Sequence, residues 1–99
     1  MVSQLRIYTI NSGMMDSWLK LFNEKIRPIH EGLGIPVEAT WVNTGRTEFL
    51  WVRSFDSMEA IPQKEAEYFA SDGRKALGDI PSSHIAKMEV RLIEKVAAA

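Results

Sequence analysis

Arginine and aromatic side chains alternate in segments that read as β-strands. Arg6 and Tyr8 stand in QLRIYTI (4–10), Trp51 and Arg53 in TEFLWVRSF (47–55), Trp41 in PVEATWVN (36–43), and Glu89 near the end of the chain. Residues two apart in a strand share a face, so each arginine sits beside an aromatic ring. An arginine can hold a carboxylate through two parallel hydrogen bonds, and a tyrosine can donate a proton. These types nominate a pocket lined by Arg6, Tyr8, Trp41, Trp51, Arg53 and Glu89, suited to an anionic or oxygen-bearing small molecule. They assign no catalytic residue. The competing reading makes Arg6, Glu89 and Arg53 a purely structural ion network.

Other chemistry finds little support. The chain has two histidines and no cysteine, which excludes disulfides and thiolate metal sites. His30, in the C-terminal part of a helix, reads as a surface or capping residue, and His84, opening a strand, as a structural one. Neither has a partner at metal-ligand spacing, so no metal and no cofactor are expected. No phosphate-binding glycine loop and no G-x-S-x-G is present. Met and aromatic side chains at helical spacing read as core. A net charge of −1 and only two adjacent basic residues, in RKALG, argue against nucleic acid. Apolar runs are too short for membrane insertion. The N-terminus lacks the basic start and long apolar core of a signal peptide, so the expected location is the cytoplasm.

These residues need elements to position them. Residues 4–10 read as strand one. Met15, Trp18, Leu19, Phe22, Ile26, Ile29 and Leu33 recur at spacings of three and four, which predicts a helix over about 14–32, interrupted by Pro28. Strands over 36–43 and 47–55, joined by TGR, form a hairpin. DSME at 56–59 is a capping-box pattern opening a second helix over about 57–70, with Pro62 near its first turn. Residues 71–83 read as a short helix between Gly73 and Gly78, then a loop. Strand four spans about 84–95. The order βαββαβ, with right-handed crossovers, predicts an α+β ferredoxin-like sandwich with sheet order 4-1-3-2. At 99 residues, 45% hydrophobic and 25% charged, one domain over 1–99 is expected, its core at about 4–95.

Placing the helices over Leu5, Ile7, Leu50, Val52, Met88, Val90 and Leu92 leaves the nominated residues on the other face. That face would be too aromatic for an open surface and too charged for a plain core. A sheet–sheet interface between two copies, enclosing a pocket, answers both, and a homodimer is therefore expected.

QLRIYTINSGMMDSWLKLF resembles the opening of NIPSNAP domains, IRPIHEGLG their proline-interrupted helix end, FDSMEA their entry to helix two, and AKMEVRLI their last strand. The loop at 71–83 departs from many relatives in lacking a Trp. The resemblance covers about residues 4–93 and implies a dimeric α/β barrel. It implies a family whose bacterial members mostly have no assigned activity. Wider relatives include cofactor-free monooxygenases, haem-degrading enzymes and isomerases. Three functions follow as expectations: a small dimeric protein with a small-molecule pocket, a cofactor-independent monooxygenase of the antibiotic-biosynthesis type, and a non-catalytic structural or interaction module.

Overall fold

The structure, a computed structural model, describes residues 1–97; the last two positions of the expected 1–99 domain lie outside the described residues. The elements are β1 (Val2–Ile10), α1 (Met15–Leu21), a π-helical turn (Phe22–Ile26), α2 (Arg27–Gly32), β2 (Val37–Val42), β3 (Glu48–Phe55), α3 (Ala60–Ala70), α4 (Asp72–Leu77), α5 (Ile80–His84) and β4 (Ile85–Ile93). The four strands form one antiparallel sheet in the order β2-β3-β1-β4. This is the ferredoxin-like α+β arrangement that the element order predicts.

The first helical run reflects a conflict of periods. Trp18, Phe22, Ile26 and His30 are spaced by four, and all four are buried. At 3.6 residues per turn a spacing of four drifts by roughly 40° each step, so a straight α-helix would turn His30 away from the core. The wider π turn absorbs the drift. Within it the Arg27 amide donates to the Phe22 carbonyl, five residues back, and Pro28, which lacks an N–H, falls in the first turn of α2.

Two local expectations change. The second helix starts at Ala60, its N-cap Glu59 makes no side-chain capping bond, and the Ala60 amide donates to the Ser57 hydroxyl instead, so the capping box of Asp56 and Glu59 does not form. Pro62 accounts for the later start, since it is tolerated only within the first turn. The segment predicted as a loop after Gly78 carries α5, and α4 is capped by Ser71, whose hydroxyl accepts from the Arg74 amide.

The larger correction concerns the faces of the sheet. The helices cover the aromatic side, not the aliphatic one. Tyr8, Phe49, Trp51 and Arg53 are buried, whereas Leu5, Ile7, Leu50 and Val52 are half-buried on the open side. The reason is volume. Trp18 meets Tyr8 and Phe49 edge-on at 5.6 and 5.7 Å, and Phe22 packs on Phe49 and Trp51 at 4.8 and 5.0 Å between ring centroids. Interlocking aromatic rings fill the gap between helix and sheet. β4 also registers differently from the expectation. Tyr8 pairs with Met88, Arg6 with Val90 and Gln4 with Leu92, while Ile7 pairs with Glu89 and Leu5 with Arg91. Met88, Val90 and Leu92 therefore share the helix side with Arg6. They stay about half exposed, because the helices stop short of this edge strand.

Candidate functional site

A cavity of about 260 Å³ lies between the helix side of the sheet and the helices. β1 supplies Arg6 and Tyr8, and β3 supplies Trp51 and Arg53. Trp18, Ile26 and His30 come from the first helical run, Glu65, Tyr68 and Phe69 from α3, and Arg74 from α4. Pro81, Ser82, Ile85 and Met88 complete the wall.

Four of the six nominated residues thus line one space: Arg6, Tyr8, Trp51 and Arg53. Trp41 and Glu89 do not. Trp41 pairs with Leu50 on the open side and is 54% exposed. Glu89 pairs with Ile7 on the same open side and accepts from Arg91 at 2.8 Å. That bond and the Arg91 charge hold its carboxyl below the usual range. The proposed network of Arg6, Glu89 and Arg53 is therefore absent, because the period of two in β4 places Glu89 on the far side of the sheet.

The two nominated arginines differ in their partners. Arg53 is buried, and each of its three nitrogens donates to a side chain. Its Nε donates to Gln4 Oε1 at 2.9 Å, its Nη1 to His30 Nε2 at 3.0 Å, and its Nη2 to Glu65 Oε2 at 2.8 Å. Burial lowers its pKa, and the neighbouring Arg6 charge adds to that. Arg6 donates from Nε to the Tyr8 hydroxyl at 2.7 Å, from Nη1 to the same Gln4 oxygen at 3.0 Å, and from Nη2 to the Met88 thioether at 3.2 Å. Its guanidinium carbon lies 5.6 Å from the Tyr8 ring centroid and 5.8 Å from that of Trp51. Among the described residues no carboxylate pairs with Arg6. One amide oxygen is left to bridge two cations.

His30 was read as a surface or capping group, but it is buried at the centre of this arrangement. Arg53 can only donate, so His30 Nε2 accepts, and Nδ1 carries the proton given to the Ile26 carbonyl at 2.9 Å. Burial pushes its pKa down to about 4, against the raising effect of the Ile26 bond and assisted by the Arg53 charge. Unfolded, the ring titrates near 6.5. The unfolded chain therefore binds the extra proton between those values. The stability that neutral His30 contributes is complete above pH 6.5 and is lost as pH falls toward 4, by about 3 kcal/mol. Urea denaturation across that range should show the loss, and His30→Gln should flatten it.

His84 is structural, as its position suggested. Its Nδ1 bonds the Ile80 carbonyl at 2.8 Å and its Nε2 takes the Ser17 hydroxyl at 2.8 Å, tying α5 to α1. Two further groups escaped the sequence reading. The indole nitrogens of Trp18 and Trp51 are buried with no acceptor among the described residues. An unsatisfied buried donor costs about 1–3 kcal/mol. Glu65, Tyr68 and Arg74 were also missed. The period of helix α3 was a usable signal for Glu65 and Tyr68, which stand three apart. Nothing local marked Arg74. Its guanidinium carbon lies 5.3 Å from the Phe69 ring centroid and its Nη1 donates to the Gly78 carbonyl.

The site is thus a donor-rich, aromatic cavity in a ferredoxin-like α+β fold. Comparison with known proteins gives the family directly: the NIPSNAP family model matches residues 3–99, and the chain belongs to the NIPSNAP family. An uncharacterized NIPSNAP domain protein from Burkholderia xenovorans superposes with a TM-score of 0.87 at 15% identity, covering 100% of this chain and 98% of that one. A NIPSNAP family protein from Agrobacterium tumefaciens superposes with a TM-score of 0.87 at 20% identity, covering 96% and 92%. An antibiotic biosynthesis monooxygenase shares the fold at a TM-score of 0.71 and 15% identity, covering 98% and 100%. No curated protein matches the chain. No helix among the described residues is long and apolar enough to cross a membrane.

Proposed function

We propose that this NIPSNAP protein is a homodimer that binds an anionic or oxygen-bearing small molecule in the cavity between its sheet and helices. One observation carries the binding reading. Arg6 is half-buried at the cavity with no carboxylate among the described residues to balance it. Three arginines, Arg6, Arg53 and Arg74, line the cavity against one glutamate, and that glutamate is bound to Arg53. A ligand oxygen or anion would complete the charge on Arg6. The volume lies just under the roughly 300–1,000 Å³ of pockets for drug-sized ligands, which favours a small one.

Dimerisation rests on the opposite side of the sheet. Leu5, Ile7, Ala39, Trp41, Leu50 and Val52 are neighbours there by register, a contiguous apolar stripe that no helix among the described residues covers, half-buried except for the exposed Trp41. Such patches are rare on lone soluble domains. A second copy would cover the stripe with an identical one, the self-complementary form that two-fold pairing requires.

Binding is favoured over catalysis because the bases among the described residues lining the cavity are already engaged. His30 Nε2 is taken by Arg53, and Glu65 is paired to the same residue. The cofactor-independent monooxygenase reading draws on the shared fold and would show as oxygen consumption with hydroxylated anthrone-type substrates. For the binding reading, Arg6→Ala should keep its sedimentation coefficient and lose the rise in melting temperature that small aromatic acids give the parent protein. A variant that falls apart into single subunits would instead make Arg6 structural.

A further inference from the structure

The donors of Arg6 are not equally committed, and their inventory points to the kind of ligand it receives. A guanidinium has five N–H groups. Here Nε–H is held by Tyr8 and one Nη1–H by Gln4, and the ring contacts with Tyr8 and Trp51 fix the plane of the group. The remaining acceptor is the Met88 thioether, at 3.2 Å from Nη2. A thioether sulfur is a weak acceptor on a flexible chain. Met88 is also 47% exposed, on an edge strand that the helices leave uncovered. Once Met88 moves, Nη1 and Nη2 present parallel N–H groups along one edge. That fork matches the two oxygens of a carboxylate.

Resting on the pocket reading above, we infer that the ligand is a small monocarboxylate with a planar apolar body, which displaces Met88 and docks its carboxylate on the Nη1–Nη2 edge of Arg6. One negative charge answers Arg6, because Arg53 is already matched by Glu65 and Arg74 is held at the rim by the Gly78 carbonyl and the Phe69 ring. The planar body finds a surface in Trp18 and Phe69, which also line the cavity. The cavity's volume equals the liquid share of about nine waters, room for one ring and its acid group. Met88 acts as a placeholder, occupying the fork weakly until the stronger acceptor arrives.

The test uses benzoate, its neutral amide benzamide, and indole as an uncharged planar probe, read by melting temperature and by quenching of tryptophan fluorescence. Benzoate should bind at least about tenfold more tightly than benzamide, the worth of charge-assisted hydrogen bonds to one carboxylate. Arg6→Gln should erase that preference. Met88→Leu, which keeps the volume and removes the sulfur, should tighten benzoate by about two- to fivefold, the worth of one weak hydrogen bond. Equal affinity for benzoate and benzamide overturns the inference and leaves the pocket reading standing. A benzoate preference that survives Arg6→Gln does the same, by locating the anchor elsewhere. If none of the three probes binds, both the inference and the pocket reading fall.

Discussion

Arg53→Met is expected to destabilise the protein by about 3 kcal/mol, lowering the melting temperature by about 12–20 °C. Methionine retains most of the apolar stem and none of the donors. His30 Nε2 and Glu65 Oε2 then lose their partner at once, and Gln4 Oε1 is left with Arg6 alone. Gln4 and His30 are buried and cannot turn to water. Glu65 can, since about a third of its side chain is exposed, which places the cost at the lower end of the 3–5 kcal/mol typical of a broken buried pair. Urea denaturation at pH 7 measures it. A loss below about 1 kcal/mol would show that the network does not hold α3 and the first helical run against the sheet.

Leu50→Arg is expected to abolish the proposed homodimer while leaving the subunit folded. Leu50 lies mid-stripe on the open side, opposite Ile7 on β1 and Trp41 on β2. In a two-fold pair both copies would bury the new charge, and buried unpaired charge with like-charge approach costs several kcal/mol. A loss of about 4 kcal/mol weakens association roughly a thousandfold. Sedimentation at micromolar concentration should then give the 11.2 kDa subunit, against twice that mass for the parent. Trp41 provides a second readout. It is exposed in the single subunit, so acrylamide should quench it in Leu50→Arg and far less in the parent. A parent protein that itself sediments at the subunit mass, with Trp41 open to acrylamide, would remove this face as an interface. Trp51 cannot serve as that reporter, because the helices of its own subunit bury it.

Much of the architecture was legible because period and order are local properties. The alternation in 4–10 and 47–55 predicts strands, and the βαββαβ order predicts the sheet. Which side of an alternating strand faces the helices is not local. It depends on what the helices bring, and Trp18 and Phe22 bring rings that pack against Tyr8, Phe49 and Trp51 rather than against aliphatic side chains. The pairing of Arg6 with Tyr8 and of Trp51 with Arg53 survived that error, since residues two apart share a face whichever face it is. Glu89 and Trp41 did not, because their side follows from register across strands. His30 was misread for a similar reason. Its type suits a helix end at the surface, and only the placement of Arg53 and Ile26 around it makes burial tolerable. Pro28 announced an interruption, but the π turn before it depends on the fourfold repeat through Trp18, Phe22, Ile26 and His30.

That turn has a bearing on how the segment tolerates changes in length. Excising any single residue between Phe22 and Ile26 would let the backbone relax into ordinary α geometry with the helix beyond it still in phase, because the turn holds one residue more than an α turn; inserting a residue there instead would rotate everything downstream by about 100°. The imidazole at the wall of the cavity would swing off its guanidinium donor, although no residue touching that cavity had been altered. The number of residues in one helical turn is therefore as much a determinant of the cavity as the identities of the groups that face it.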